Sequence, residues 1–221
     1  MLPEQFLPEP LPASPLPLFV SWFEEARRQA LQPNPDAMVL ATVGDPERPS
    51  ARVVLCKHIA ADEGFIVFYT NHDSRKGREV TAHPRAAVVF HWDALHRQVR
   101  IEGPVLRSPA AESDAYFAGR ALASRIGAWS SDQSQPLASR AALAAQVQAA
   151  EAKFGVTGTT QDAHIPRPPH WGGLRLWIES IELWTEGPGR VHDRAVWTRK
   201  LQPKNEFALA GGQWSATRLN P

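Results

Sequence analysis

Short segments rich in β-branched and aromatic residues recur along this chain, and they constrain its fold more than any other feature. Five of these segments, at residues 38–43, 51–56, 65–70, 86–92 and 97–106, come before the middle of the chain. Runs of this composition between turn residues are typical of β-strands. A period-2 pattern returns from Leu174 in LRLWIESIELW and VHDRAVWTR, and then in a hairpin around Gly211 and Gly212 that ends in WSATRL. We therefore predict an antiparallel β body of six to eight strands.

Helical signals occur at the start and in the middle of the chain. Ser14 and Pro15 form an N-cap and a first helical position, and apolar residues at helical spacing then predict a helix that ends by Gln32. A short helix is expected over residues 74–82. Residues 109–154 are rich in Ala, Gln and Ser and contain two helical patterns, the second over residues 139–154. The predicted fold class is α+β, mainly antiparallel β, as an open sheet or a barrel.

The N-terminal residues predict an arm in front of a single domain. Six of the first twenty residues are prolines, so residues 1–13 are interpreted as an extended arm and residues 14–221 as one domain. No basic start followed by an apolar run marks a signal peptide, and no uncharged apolar run reaches the roughly 18 residues of a membrane helix. With Cys56 as its single cysteine, the protein is expected to be cytoplasmic. The net charge of +1 argues against nucleic acid as a partner.

Cationic side chains are concentrated at the predicted strand ends. Arg52 and Lys57 bracket the strand RVVLCK, and their odd separation places them on opposite faces unless a bulge intervenes. Arg75 and Lys76 open the short helix, where backbone N–H groups favour a phosphate group. The alternative for Arg75 and Lys76 is an ordinary solvated surface, and the residues alone leave both interpretations open.

Two further groups suggest a second anion site. Tyr116, Arg120 and Ser124 are spaced by four and would share one face of a helix, although a solvated helix face has the same spacing. Arg190 and His192, followed by Arg194, alternate along a predicted strand face. Such a row favours a bound anion or carboxylate.

No nucleophile or metal signature accompanies these groups. The chain contains no HExxH, CxxC, GxSxG, P-loop or GxGxxG motif, so no metal site is predicted. The remaining Arg, Lys, Tyr, Ser, Gln and Trp side chains suit the binding of phosphorylated aromatic molecules, with a cofactor supplying the chemistry. Gln98 fits this interpretation as an amide for a polar ligand edge, or it is an ordinary solvent-facing strand residue.

The chain resembles the pyridoxamine 5′-phosphate oxidase family in ten motifs that occur in order. They are RVVLCK, FYTN, SRK, RQVRIEG, YFAGR, SRIGAW, DQS, HWGGLRL, ELW and RVHDR, and the likeness extends from about Ser14 to the terminal RLNP. The resemblance implies an FMN-binding split β-barrel and a homodimer with two FMN sites at its interface. It also implies oxidation of pyridoxine 5′-phosphate or pyridoxamine 5′-phosphate by O2, giving pyridoxal 5′-phosphate and H2O2.

The resemblance also assigns residues to the cofactor and to the substrate. For FMN it implies Arg52, Val53, Val54, Leu55, Cys56, Lys57, Tyr69, Thr70, Arg75, Lys76, Gln98, Gln133, Ser134, Trp184 and Arg194, some of them from the second subunit. For the substrate it implies Lys57, Tyr116, Arg120, Ser124, Arg190, Val191 and His192, with Arg190 and His192 as the catalytic pair over the pyridine ring.

Some residues depart from the family's pattern, and two other functions stay open. Gly119, Ala121 and Arg125 stand where the family more often has Ser, Pro and Gln. Residues 1–13 contain neither the Arg nor the Tyr with which some members close over the substrate, so the arm as a substitute lid is a hypothesis. The alternatives are a split-barrel oxidase of another aromatic molecule, such as a phenazine precursor, and a non-catalytic flavin-binding protein.

Overall fold

The structure is a computed structural model that describes residues 6–221. Within these residues the helices are α1 (Leu16–Gln29), α2 (Arg75–Ala82), α3 (Ala110–Ala118), α4 (Leu122–Ser130) and α5 (Arg140–Lys153). The strands are β1 (Ala37–Gly44), β2 (Arg48–Leu55), β3 (His58–Ala60), β4 (Phe65–Asn71), β5 (Arg85–Trp92), β6 (Arg97–Arg107), β7 (Trp171–Trp177), β8 (Ser180–Thr185), β9 (Asp193–Thr198), β10 (Leu201–Asn205), β11 (Ala208–Gly211) and β12 (Ser215–Leu219).

Ten of these strands form one antiparallel sheet that divides along β6. The main path runs β12-β9-β8-β6-β5-β1-β2, while β7 pairs with β6 and with β4, and β4 also pairs with β3. The first part of β6 pairs with β8, up to Glu102, and Val105 begins its pairing with β7. Gly103 lies between the two pairings, where an added Cβ would come within 1.8 Å of the Trp177 carbonyl oxygen. Only a residue without a side chain permits this close approach, which allows β6 to pair with β8 along its first part and with β7 along its last.

The main core lies between the inner faces of this sheet and α1. Phe19 and Phe23 of α1 contact the ring of Phe90 at centroid distances of 5.5 and 5.9 Å, and Phe23 also contacts Trp92. Alternation along β1 places Met38 and Leu40 in this core and leaves Val39 exposed. The apolar stripe of α1 therefore covers one side of the sheet, as its spacing predicts.

The predicted fold class is confirmed, but several local expectations are wrong. Residues 6–221 contain twelve strands, more than the six to eight predicted. The short strands β3, β10 and β11 carry no apolar alternation, and the segment LRLWIESIELW contains parts of two strands, β7 and β8. The C-terminal hairpin joins β10 to β11 by a turn between Asn205 and Ala208. Gly211, which was predicted to lie in the turn, is instead the last residue of β11. Ser14 is not the N-cap of α1. Pro15 occupies that position and cannot donate a backbone N–H.

The middle region contains three helices where two were predicted. The chain is interrupted between α3 and α4, because Gly119 ends α3 and Ala121 adopts an extended conformation with ψ near 143°. Ala-rich residues are good helix formers on both sides of this break, so the spacing of apolar residues did not reveal it.

The arm predicted for residues 1–13 lies partly outside the described residues, since the structure describes it only from Phe6 onward. From there it lies along β9 and β12: Leu7 is buried, and the indole N–H of Trp197 donates a hydrogen bond to the Pro12 carbonyl at 2.8 Å. No helix within residues 6–221 is long and apolar enough to cross a membrane.

Candidate functional site

A buried carboxylate organises the part of the sheet where the first phosphate site is predicted. Glu79 of α2 accepts hydrogen bonds from Thr42 of β1 at 2.5 Å and from Ser50 of β2 at 2.7 Å. It also pairs with Arg52 at 3.0 Å and with Arg75 at 2.8 Å. One side chain therefore joins two strands to the helix and fixes two of the predicted phosphate-binding arginines.

These donors determine the protonation state of Glu79. Burial alone raises the pKa of a carboxyl group, but the hydrogen bonds from Thr42, Ser50, Arg75 and Arg52 outweigh it and lower the pKa of Glu79 to about 2. Glu79 is 6% exposed and remains charged at neutral pH. Part of the positive charge of Arg52 and Arg75 is consequently neutralised inside the protein.

Within residues 6–221, Lys76 has no ion pair with a carboxylate and lies among neutral oxygen acceptors. Its ammonium group donates to Thr70 Oγ1 at 3.1 Å and to Gln133 Oε1 at 2.8 Å. Ser74 caps α2 by accepting the Gly77 N–H at 3.3 Å. Burial lowers the pKa of Lys76, and the nearby Arg52 lowers it further. A half-buried cation at a helix N-terminus is suited to hold a phosphate group.

Four predicted cofactor residues thus lie close to one another in the structure. Thr70 is the penultimate residue of β4, Lys76 is the second residue of α2, and Gln133 follows α4. All three meet through the Lys76 ammonium group. Arg52 reaches the same region through Glu79. Ser134, next to Gln133, is exposed and has a positive φ of 71°, an uncommon conformation for a residue with a side chain.

Lys57 and the residues before it are arranged differently from an ideal strand. Because β2 ends at Leu55, Lys57 lies beyond the strand, and the prediction that it faces opposite Arg52 on one strand is wrong. Its backbone N–H instead donates to the Val67 carbonyl of β4 at 2.8 Å. This bond places Lys57 beside the strand that carries Tyr69. Of the other residues in this run, Val53 and Leu55 are exposed, Val54 is partly buried and Cys56 is buried.

A stack of aromatic rings forms the second group. The rings of Tyr69 and Tyr116 are 3.7 Å apart and nearly parallel, and Trp171 lies against both, at 5.4 and 6.1 Å. The guanidinium of Arg120 lies 4.7 Å from the Trp171 ring centroid. Burial raises the pKa values of both tyrosines, so both phenols are protonated at neutral pH.

Arg120 has an unmet hydrogen-bonding group in this stack. Its Nη1 atom is buried and has no hydrogen-bond partner within residues 6–221. Burial lowers the pKa of Arg120, although an arginine stays charged in this range. A buried cationic donor without an acceptor is costly, and an anionic ligand would satisfy it.

The expectation that Tyr116, Arg120 and Ser124 share one helix face is wrong. Tyr116 belongs to α3, Arg120 lies in the connection and Ser124 belongs to α4, where it is exposed. The break after Gly119 separates them. Tyr116 and Arg120 are nevertheless brought together, since both contact Trp171.

A third group of candidate residues lies across β6, β8 and β9 of the sheet. Gln98 of β6 lies opposite Trp184 of β8, and Trp184 lies opposite Arg194 of β9, so the three residues form one row. Arg194 pairs with the buried Glu182 at 2.9 Å. Four strand spacings of about 4.8 Å separate β8 from β2 along the sheet, roughly 19 Å in all. The row is therefore distant along the sheet from Arg52.

Arg190 and His192 do not belong to a strand face with Arg194, contrary to the alternation in the sequence. Strand β9 begins at Asp193, and a short 3-10 turn (Pro188–Arg190) precedes it. Arg190 has a φ of 66°, in the left-handed region, and its side chain is exposed. The Pro-Gly pair of this turn reverses the chain, a conformation that period-2 patterning does not predict. Val191 is 67% exposed.

The imidazole of His192 is held by two contacts. Its ring lies 4.6 Å from that of Trp184, and its Nδ1 atom accepts the backbone N–H of Gly187 at 3.3 Å. With Nδ1 as acceptor, the neutral ring carries its proton on Nε2. A Cβ on Gly187 would lie 1.8 Å from the Val191 carbonyl oxygen, so the closed turn requires glycine at this position.

The sequence did not single out two residues that are central to these groups. Glu79 lies four residues after Arg75, a spacing that signals a helical ion pair, but its contacts with β1 and β2 depend on the tertiary fold. Trp171 was visible in the HWGG motif. Its position between Tyr69, Tyr116 and Arg120 again depends on how α3 packs against β7.

Solved structures establish the class of fold. The structure of PhzG from Burkholderia lata, in complex with tetrahydrophenazine-1-carboxylic acid, is 30% identical with a TM-score of 0.80, and the match covers 95% of this chain and 94% of that one. A pyridoxamine 5′-phosphate oxidase-related, FMN binding protein from Nostoc punctiforme shares the fold at 16% identity, with a TM-score of 0.66 over 94% and 98% of the two chains. The architecture is that of a flavin-binding split β-barrel.

Sequence comparisons identify the family within that class. A family model described as "Pyridoxamine 5'-phosphate oxidase" matches residues 23–154. A second model, described as "Pyridoxine 5'-phosphate oxidase C-terminal dimerisation region", matches residues 171–221. Proteins named pyridoxine/pyridoxamine 5′-phosphate oxidase are 50% identical in Burkholderia lata, over 94% of this chain and 89% of the relative, and 47% identical in Gluconobacter oxydans, over 96% of both. The chain belongs to the pyridoxamine 5′-phosphate oxidase family, as the resemblance indicated.

The Glu79 network predicts a specific dependence of stability on pH. Since the pKa of Glu79 is lowered from 4.5 to about 2, its contribution is present above pH 4.5 and is lost as the pH falls towards 2. We expect Glu79→Gln to reduce the free energy of unfolding by roughly 3 kcal/mol near neutral pH, and to flatten its pH dependence below 4.5. Urea unfolding at several pH values measures both effects.

The matched control for this variant is Glu179→Gln, which breaks the more exposed pair with Arg85. An exposed ion pair contributes about 0 to 1 kcal/mol, so this variant should remain close to the wild type. Equal losses in the two variants would show that the Glu79 network has no special role.

Gly187 is expected to be required by the turn that carries His192. Gly187→Ala should displace Val191, lengthen the hydrogen bond to His192 and lower the free energy of unfolding by about 1–3 kcal/mol. Amide hydrogen exchange should accelerate at residues 188–192. Gly158→Ala, where no atom lies within 4 Å of the added Cβ, is the control, and unchanged exchange at residues 188–192 in Gly187→Ala would contradict the steric argument.

Proposed function

We propose that this protein is an FMN-dependent oxidase that converts pyridoxine 5′-phosphate or pyridoxamine 5′-phosphate to pyridoxal 5′-phosphate, with O2 as acceptor and H2O2 as product. Oxidation of the amine substrate also consumes one water molecule and releases ammonia. Membership of the family supports an oxidoreductase, and relatives at 47–52% identity carry the names of these two substrates. The expected setting is cytoplasmic vitamin B6 metabolism.

The observation that carries the substrate assignment is the unpaired Nη1 atom of Arg120. It lies beside Tyr116 and Trp171, where an apolar ring and an anionic group would both find partners. Tyr116 can donate its phenolic proton, and we assign Lys57 to the same anion because its backbone pairs with β4, the strand that carries Tyr69. These donors support a phosphate-bearing aromatic substrate, with Ser124 as a further hydroxyl on α4.

The residues of the first phosphate site fit an FMN phosphate. Ser74 and the N-terminus of α2 supply a hydroxyl and backbone N–H groups, while Lys76 and Arg52 supply positive charge. We assign Thr70, Gln133 and Ser134 to the same cofactor because the first two already contact Lys76 or each other. When bound, FMN supplies the group that accepts electrons from the substrate and passes them to O2.

A homodimer would complete this site. Gln98, Trp184 and Arg194 lie three to five strands from Arg52 along the sheet, within or paired to the region that matches the family's dimerisation description. The outer face of β1 and β2 exposes Val39, Val43, Val53 and Leu55, a contiguous apolar surface of the kind found at interfaces. We propose that the row from one subunit faces the phosphate site of the other.

Within this arrangement the protein binds and orients the reacting groups. Tyr116 and Arg120 would anchor the substrate phosphate and so hold the pyridine ring in one orientation for the reaction. His192 presents its Nε2 proton and Arg190 its guanidinium to the pyridine ring or its substituents. Val191 lies between them and contributes backbone and apolar contact.

A direct assay tests the proposed function. Purified protein should bind FMN and turn yellow, and adding pyridoxine 5′-phosphate with O2 should release H2O2 and pyridoxal 5′-phosphate in equal amounts. Unphosphorylated pyridoxine serves as the matched substrate control, and we expect its kcat/KM to be lower by a factor of about 100 or more. A yellow protein that is inert to both phosphorylated substrates would contradict the proposal.

A second candidate is the oxidation of a reduced phenazine precursor. It is favoured by the likeness to PhzG, whose structure contains tetrahydrophenazine-1-carboxylic acid. The same H2O2 assay with a dihydro- or tetrahydrophenazine carboxylate separates the two functions. A higher kcat/KM for that compound than for pyridoxine 5′-phosphate would favour the second candidate.

Variants of Arg190 test its assignment to the substrate. Arg190→Ala should lower kcat/KM for pyridoxine 5′-phosphate by about 100-fold, while the Kd for FMN changes by less than about 2-fold. Arg190→Gly tolerates the left-handed backbone and should lose the same activity, which separates the guanidinium from backbone strain. Equal loss of activity and FMN affinity would overturn the assignment.

A further inference from the structure

We propose that Asp193 is a positioning residue that fastens the N-terminal arm to the turn carrying Arg190 and His192, and that this contact sets the geometry of the substrate site. The inference rests on the proposed function, because it assumes that Arg190 and His192 act on the substrate. In this proposal the arm fastens the turn in place, whereas the sequence suggested the arm as a substitute lid over the substrate.

Asp193 stands at the junction of three parts of the chain. It follows His192 directly and opens β9. Its Oδ2 atom accepts the backbone N–H of Leu7 at 2.7 Å, and its Oδ1 atom accepts a hydrogen bond from Arg218 of β12 at 2.5 Å. The side chain is 15% exposed, so both bonds are largely shielded from water. One carboxylate thereby joins the arm, the C-terminal strand and the end of the turn.

The arm is held by more than this one bond. Leu7 is 3% exposed and belongs to the main hydrophobic core. Arg218 donates to the Pro8 carbonyl at 3.0 Å and pairs with Glu9 at 2.9 Å. Three successive residues of the arm therefore have defined contacts near Asp193, and the arm cannot leave this position without exposing Leu7.

The arm also forms one wall of a cavity beside His192. Phe6, Leu7 and Glu9 line one side of a space of about 440 Å³, and Val191 and His192 line another. Phe6 and Val191 are 61% and 67% exposed, so an apolar surface is open on both sides of the imidazole. Removing the arm would therefore remove this wall of the cavity and also the hydrogen bond from Leu7 to Asp193.

Catalysis is sensitive to small displacements of the groups that contact the substrate. A shift of about 1 Å in a positioned group can lower the rate by about 100-fold, and a change at Asp193 passes directly along the backbone to His192. His192 is held on its other side only by the Gly187 N–H and the ring of Trp184, among the contacts within residues 6–221. Among the contacts of charged side chains within residues 6–221, those of Asp193 are the nearest to His192 in sequence.

The test compares Asp193→Ala, Asp193→Asn and Leu7→Asp with the wild type. Asp193→Ala removes both bonds, Asp193→Asn keeps one acceptor for the Leu7 N–H, and Leu7→Asp releases the arm without altering β9. We expect Asp193→Ala and Leu7→Asp to lower kcat/KM for pyridoxine 5′-phosphate by about 10-fold or more, and Asp193→Asn to lose less. The Kd for FMN, measured by flavin fluorescence, should change by less than about 2-fold.

Amide hydrogen exchange supplies a readout that does not depend on activity. In the FMN-loaded protein, Leu7→Asp should accelerate exchange at residues 188–192 as well as in the arm, whereas Glu179→Gln should change neither exchange nor kinetics. The inference would be overturned if Leu7→Asp accelerated exchange in the arm but changed neither the exchange at residues 188–192 nor kcat/KM. A wild type inactive towards both phosphorylated substrates would refute the proposed function instead, and the exchange at residues 188–192 would still decide whether the arm controls the turn.

Discussion

The buried carboxylate of Glu79 is the interaction on which the phosphate-binding end of this structure depends. Two hydroxyl groups and two guanidinium groups converge on it from β1, β2 and α2, and without it the largely shielded Arg52 would lose its counter-charge. The network therefore fixes where positive charge is available. Lys76 remains the cation surrounded by neutral oxygens, and it lies at the helix N-terminus where an anion is best stabilised.

The division of the sheet along β6 explains why the candidate site residues fall into separate groups. Gly103 lets β6 change partners from β8 to β7, so that β7 supplies Trp171 to the aromatic stack while β8 supplies Trp184 to the row across the sheet. A single chain keeps these two surfaces apart. In the proposed dimer, two copies that face each other would bring these surfaces together, and the exposed apolar face of β1 and β2 lies at the end of the sheet that carries Arg52.

Much of the fold could be predicted from local pattern, because strands such as β4 and β5 and the helix after Ser74 carry strong periodic and capping signals. A phosphate-binding role for Lys76 was predicted from its place at the start of a helix, and the resemblance added Gln133 to the predicted cofactor group. The contacts of Lys76 with Thr70 and Gln133 depend on tertiary packing. The errors have local physical causes. Ala-rich residues fit a helix on both sides of the Gly119 break, and the left-handed turn at Arg190 resembles a strand in its alternation alone.

Charge offers a physical basis for choosing between the two substrate classes. A phosphate monoester carries a charge of about −1.5 to −2 at neutral pH and three acceptor oxygens, whereas a carboxylate carries −1 and two. Within residues 6–221, Arg120 has one buried donor without a hydrogen-bond partner, and Tyr116 adds a phenol beside it. We propose that Lys57, whose backbone pairs with the strand that carries Tyr69, adds a second cation there. Two cations and a hydroxyl match a phosphate more closely than a carboxylate. A phenazine carboxylate bound there would leave part of this positive charge without a counter-charge, and that cost favours the phosphorylated substrate.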